Sequence, residues 1–139
     1  MILLDTNVLS ELVKPQPDPR VVNWARRSAA ALALPTIAVA EMAFGIEKLL
    51  EGRRRDELLE ALRRLVTEFA DRLFDFNVNA ALAYGRILAQ ARRLGRPMAL
   101  PDALIAAIAQ ANGCALATRN VKDFTSTGLE LVNPWQGDA

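Results

Sequence analysis

Three short stretches of the chain carry apolar residues at consecutive positions with no polar face: Ile2–Leu4, Leu32–Leu34 and the segment from Cys114 to Ala117. This is how strands read when both faces of a parallel sheet are covered. Between them the apolar residues fall at helical spacing instead, as in Leu58, Leu59, Leu62, Leu65, Val66 and Phe69.

Following that pattern along the chain predicts a strand over Ile2–Asp5 and a helix from Thr6 to Val13. The proline-rich segment Lys14–Pro19 cannot continue a helix and reads as an extended connection. Asp18 then caps a second helix, with Pro19 at its first position, that runs to about Ala30. A strand over Leu32–Leu34 stops at Pro35, and Thr36 caps a helix extending to Leu50 and ending at Gly52. A helix follows over Asp56–Phe69 and a third strand over Leu73–Phe76. Asn77 or Asn79 caps a long helix to Leu94, closed by Gly95. Pro101-Asp102 opens another that closes at Gly113, and strands over Cys114–Thr118 and Leu129–Val132 complete the set. Short apolar strands separated by helices predict an α/β fold of three layers, α/β/α, with a central parallel sheet of four or five short strands. No repeat or internal linker divides it, so residues 1–139 read as a single domain.

Composition narrows the chemistry. With 52% hydrophobic and 24% charged residues in 139, the chain has a globular balance. No apolar run approaches the roughly 20 residues of a membrane span. The N-terminus lacks the basic region of a signal peptide, and one cysteine, Cys114, fits a reducing compartment, so a cytoplasmic location is expected. There is no histidine. That excludes serine–histidine and cysteine–histidine hydrolases and, with a single Cys, a structural zinc site. The glycines lie too far apart for a phosphate-cradling loop. What remains is carboxylate, hydroxyl, amide and Arg or Lys chemistry, for which hard cations are the natural partner. Net charge is only +1, but 14 of the 17 basic residues are Arg and they are clumped: Arg26-Arg27, Arg53–Arg55, Arg63-Arg64, and Arg92-Arg93 with Arg96. Such clumps are commonly solvated helix faces, and they also suit phosphate.

Several acids stand in unusual places. Asp5 ends the first strand, Asn120 and Asp123 follow a late strand, and Asp102 opens a helix. Ligands of parallel sheets sit at the carboxyl ends of the strands. Glu41 lies inside TIAVAEMAFGI, where its neighbours are apolar. Each has a plain alternative: Asp5 as a helix cap, Asp102 as a complement to the helix dipole, Glu41 paired with an Arg. As a set, carboxylates in apolar settings repel one another unless a divalent cation lies between them. Magnesium or manganese suits a donor set of this kind, and would activate water against a phosphodiester. Thr6, Asn7, Thr36 and Thr118 are placed to orient such acids or waters, or to serve as caps and strand ends.

At these residues the sequence resembles the PIN-domain family, and within it the VapC-like ribonuclease toxins of bacterial toxin–antitoxin pairs. The resemblance rests on MILLDTNVLSEL, TIAVAEMAFGI, PDALIAAIAQANG and ATRNVKDF followed by a strand and NPW, in the family's order over nearly the whole chain. It implies a PIN-like fold and an endoribonuclease dependent on Mg2+ or Mn2+, with metal-ligating catalytic acids at Asp5, Glu41 and Asp102. It also implies a cognate antitoxin, an RNA substrate, a homodimer, and a larger assembly that binds operator DNA through the antitoxin, with no membrane association. Arg119, Arg92 and Arg93 are the candidates for RNA contacts. Many relatives carry a fourth acid where this chain has Asn120, an amide and a weaker ligand; Asp123, three residues on, is the alternate. That departure leaves a second reading, a catalytically weak module that binds RNA or its antitoxin in a regulatory role. A receiver-type signalling domain would need paired acids at the first strand, where only Asp5 stands. The apolar stripes of the 56–69 and 77–94 helices are candidates for the dimer face or for core. Trp24 and Trp135 read as packing residues, Trp135 anchoring the last strand.

Overall fold

The structure, a computed structural model, describes residues 1–136. Five strands form one sheet: β1 (Ile2–Leu4), β2 (Leu32–Pro35), β3 (Leu73–Phe74), β4 (Ala115–Ala117) and β5 (Leu131–Val132). Their order is β3-β2-β1-β4-β5 and every pairing is parallel, with Ile2 opposite Leu32 on one side and Ala115 on the other. β1 is therefore the central strand of the sheet. Leu3, Leu4, Leu32, Ala33, Leu34, Leu116 and Ala117 are all buried. Successive strand residues point to opposite faces, so burial at consecutive positions means helices cover both sides. The three-layer expectation follows from the strands themselves.

Six helices supply that cover: α1 (Thr6–Val13), α2 (Pro19–Arg27), α3 (Thr36–Glu47), α4 (Arg53–Glu68), α5 (Val78–Arg93) and α6 (Leu100–Ala111). In α6, Ala103, Ile105, Ala106, Ala107, Ile108 and Ala109 are all buried, so this helix is enclosed nearly all round. Alanine on α5, at Ala80, Ala83 and Ala91 with Ile87, forms its buried stripe, and small side chains let α5 and α6 approach closely. Trp24 and Trp135 are both buried where α2 meets the short turn Pro134–Gln136.

Several boundaries differ from the sequence pattern, each for a local reason. Thr36 does not cap α3: Pro35 holds the cap position and the Thr36 hydroxyl leans towards the Phe74 carbonyl at 3.5 Å. α3 stops at Glu47, and Gly52, with φ 152°, turns the chain into a helix that starts at Arg53 rather than Asp56. Asn77 is the cap of α5, accepting from the Ala80 N–H at 3.0 Å. The second helix ends at Arg27, and a 3-10 turn over Ala29–Ala31 leads into β2. The third and last strands keep only two residues each, because their remaining segments make no ladder. Among the described residues no helix is long and apolar enough to cross a membrane.

One buried carboxylate carries no signal in the apolar pattern. Glu11 is 6% exposed on α1, accepts from the Asp18 N–H at 2.9 Å and pairs with Lys14 at 3.1 Å. It ties down the proline-rich connection between α1 and α2.

Candidate active site at the switch point of the sheet

The strand order reverses direction between β1 and β4, and such a switch point opens a crevice beyond the carboxyl ends of the two strands. Asp5 stands at that place. Its main-chain N–H still pairs with the Ala117 carbonyl at 2.9 Å, continuing the β1–β4 ladder, while its carboxylate accepts from the Thr6 N–H at 2.8 Å and caps α1. Both readings of Asp5, cap and mouth residue, describe the same side chain.

Asp5 is 4% exposed, and a buried carboxylate needs donors in place of water. Thr118, fully buried at the end of β4, donates its hydroxyl to Asp5 Oδ2 at 2.8 Å, and the Asn7 amide adds a longer contact at 3.3 Å. Asn7 is itself held by the Arg119 N–H at 3.2 Å, and the Asn120 N–H closes onto Thr118 Oγ1 at 3.0 Å. Thr6 donates to Glu41 Oε1 at 2.6 Å, which brings α3 against the start of α1. Thr6, Asn7 and Thr118 thus contact the acids directly, whereas Thr36 lies at the β2–β3 end and contacts none of them.

Burial raises the Asp5 pKa, the Thr118 and Thr6 hydrogen bonds lower it, and the charges of Glu41 and Asp123 raise it further; the balance lies above the ordinary value. Asp102 sits in the first turn of α6, where the helix dipole favours an anion. Burial nevertheless dominates, followed by the charges of Asp5, Asp123 and Glu41, and its carboxyl is pushed up to about 6. Among the described residues its side chain has no hydrogen-bond donor. The four acids therefore share one field, and Asp123, carried by the 3-10 turn Val121–Thr127, contributes to it. Asn120 is exposed and enters the network through its main chain. Its place after a late strand marks Asp123 in the sequence as the alternate to Asn120, but spacing does not reveal the 3-10 turn that brings its charge to Asp5 and Asp102.

Among the described residues no three acids are gathered as a ready-made metal cage. The donor set still suits a hard cation: oxygen ligands only, held on separate elements and mutually repelling. Magnesium keeps most of its waters and takes one or two carboxylates, so it does not require a closed cage.

The basic candidates part company. Arg119 stacks over the Trp135 ring, 5.0 Å from its centroid, beside the crevice. Arg93 lines a cleft between α5 and the 3-10 turn, and Arg92 is exposed in the last turn of α5.

Known proteins with this architecture are similar over the full length. The chain is 43% identical over 138 residues to the plasmid stability protein StbB of Pseudomonas syringae pv. tomato, covering 98% of this chain and 99% of the relative. It is 38% identical, with the same coverage, to the VapC ribonuclease Y4jK of Sinorhizobium fredii. Among solved structures, FitAB bound to an IR36 DNA fragment superposes with a TM-score of 0.92 at 36% identity, over 100% of this chain and 99% of the other. The PIN domain model matches residues 2–128, which takes in Asp5, Glu41, Asp102 and Asp123, and the chain belongs to the PIN domain family.

Proposed function

We propose that the protein is a divalent-cation-dependent endoribonuclease, using Mg2+ or Mn2+, that acts as the toxin of a toxin–antitoxin pair. The observation that carries this reading is the convergence of Asp5 and Asp102, from different elements, on one switch-point crevice where the charge of Asp5 adds to burial in raising the proton affinity of Asp102. Among the relatives, Y4jK is named a VapC ribonuclease, which supports the same chemistry.

Asp5, Asp102 and Glu41 are the residues to hold the cation, with Asp123 or Asn120 at the fourth corner. A cation bound there lowers the pKa of water and offsets the charge that develops on an attacked phosphodiester. Thr118 and Asn7 fix the direction of the Asp5 carboxylate, and Thr6 fixes that of Glu41. The binding-only reading rests on Asn120, and the charge of Asp123 at Asp5 and Asp102 weighs against it.

An antitoxin, a second copy of the chain and operator DNA reached through the antitoxin complete the proposal. The FitAB–DNA structure supports such an assembly, and exposed apolar side chains at Phe44, Leu50, Val78 and Leu82 suit protein partners.

Cleavage of cellular RNA is to be measured with magnesium, with manganese and with EDTA, for wild type, Asp5→Asn and Asp102→Asn. Each substitution is expected to cost at least about a hundredfold, a loss of some 3 kcal/mol in transition-state stabilisation. Activity that survives EDTA, or full activity in both variants, overturns the metal mechanism.

A further inference from the structure

Positive charge is unevenly distributed. Residues 77–129 contain Arg86, Arg92, Arg93, Arg96, Arg119 and Lys122, against two acids, Asp102 and Asp123, both at the acidic mouth. Elsewhere several basic side chains meet acids, as Lys14 does Glu11, Arg20 Asp18, Arg53 Glu57, Arg55 Glu47 and Glu51, and Arg72 Asp71. Among the described residues, none of the six in 77–129 forms an ion pair.

Three clefts run together along this region. The first, about 530 Å³ between α5 and the 3-10 turn, is lined by Arg86, Gln90, Arg93, Gln110 and Ser126. The second, about 440 Å³, shares Ser126 and adds Arg96, Lys122, Asp123 and Thr125. The third, about 470 Å³, shares Lys122 and Asp123 and adds Arg119, Asn120 and Asn133. The first two clefts share Ser126 and the last two share Lys122 and Asp123, an interrupted channel whose walls include Asp123. Arg96 donates to Thr125 Oγ1 at 2.9 Å, which holds the segment after α5 against the turn. Arg93, in the last turn of α5, also complements the helix dipole; Arg86, in the middle of the helix, has no such role. It lies two turns away from Arg93, about 10 Å along the axis. Gln110 lines the first cleft with its Oε1 shielded from water and without a donor.

We infer that this channel binds the phosphodiester backbone of an RNA strand entering the acidic mouth, with Arg86 and Arg93 at the far end and Arg96 and Lys122 beside Asp123. The inference rests on the endoribonuclease reading. An acidic mouth alone repels a polyanion, so a strand must be held by charge beyond it. Guanidinium groups take phosphate bidentately, and Ser126 and Gln90 offer polar contacts to sugar.

Binding is measured by fluorescence anisotropy in EDTA, where no cleavage occurs, with a mixed-sequence single-stranded oligoribonucleotide about ten nucleotides long. Arg86→Gln with Arg93→Gln is compared with Arg63→Gln with Arg64→Gln on α4, which makes the same change in net charge. The first pair is expected to weaken binding at least about tenfold and to reduce the slope of log affinity against log salt by about 1.4, or 0.7 for each lost phosphate contact. The second pair should leave both unchanged. Equal losses from the two pairs, or wild-type binding by the first, overturn the channel. A change in sedimentation of the first pair also overturns it, because the cleft is then a contact between copies. Wild-type protein that binds RNA through Arg86 and Arg93 yet cleaves none with either cation refutes the nuclease reading alone. Cleavage that is intact while Arg86 and Arg93 make no difference to binding refutes the channel alone.

Discussion

Asp5 and Asp102 face the same crevice with opposite kinds of support. Asp5 is wired in: it continues a ladder, caps a helix, and receives the Thr118 hydroxyl and the Asn7 amide. Asp102 is placed by the backbone of α6 and has no side-chain donor among the described residues, and burial with the charges of Asp5, Asp123 and Glu41 pushes its carboxyl up to about 6. One corner of the site is fixed before any ligand arrives; the other is left to be satisfied by one. A site with both acids fully satisfied by protein donors would have little left to offer a cation, and a site with neither satisfied would lack a defined geometry.

The largest expected effect comes from unwiring the fixed corner. Thr118→Val keeps the shape of the side chain but removes the donor to Asp5 and the acceptor for the Asn120 N–H. It should lower unfolding stability by about 1–3 kcal/mol in urea and weaken cation affinity by roughly 10–100-fold in calorimetry. Wild-type affinity in a folded Thr118→Val protein would remove the contrast between the corners.

The next effect belongs to the loose corner and appears as a pH dependence without cation. Between its ordinary 3.8 and about 6, Asp102 holds a proton in the folded protein that the unfolded chain has released. Its contribution to stability is therefore full below about pH 4 and is lost as pH rises to about 6. Because Asp102 is partly exposed, the change should be of the order of 1 kcal/mol. Asp102→Asn should flatten that part of the profile, and saturating magnesium should flatten it for wild type. A slope that survives Asp102→Asn in EDTA assigns the titration elsewhere.

The smallest change is at the fourth corner. Asn120→Asp should tighten cation binding by roughly tenfold or less, through added ligand charge. Unchanged stoichiometry and affinity would mean that Asp123 already serves there.

How far the sequence reveals this arrangement depends on whether the signal is local. Thr6–Val13 is legible to the residue, because an acid cap stands before it and Lys-Pro after it. The start of α4 is less so: Arg53, Arg54 and Arg55 look like a charge run, and the apolar spacing begins only at Leu58. Asp5, Glu41 and Asp102 stand out because an acid amid apolar residues needs a reason. Thr118 donating to Asp5 across 113 residues leaves no local trace, and neither does Glu11 closing a loop. Asp123 depends on the hand and pitch of a short 3-10 turn, which spacing alone does not supply.

The position of β1 has a consequence for synthesis. β1 must be flanked on both sides, by β2 and by β4, and β4 follows in the chain only after all six helices. Asp5 is made well before Asp102 and Thr118, which complete its surroundings. Parallel pairing over so long a separation is slow to form and has no partial version. A nascent chain that has not yet reached β4 thus carries the acid without its partners.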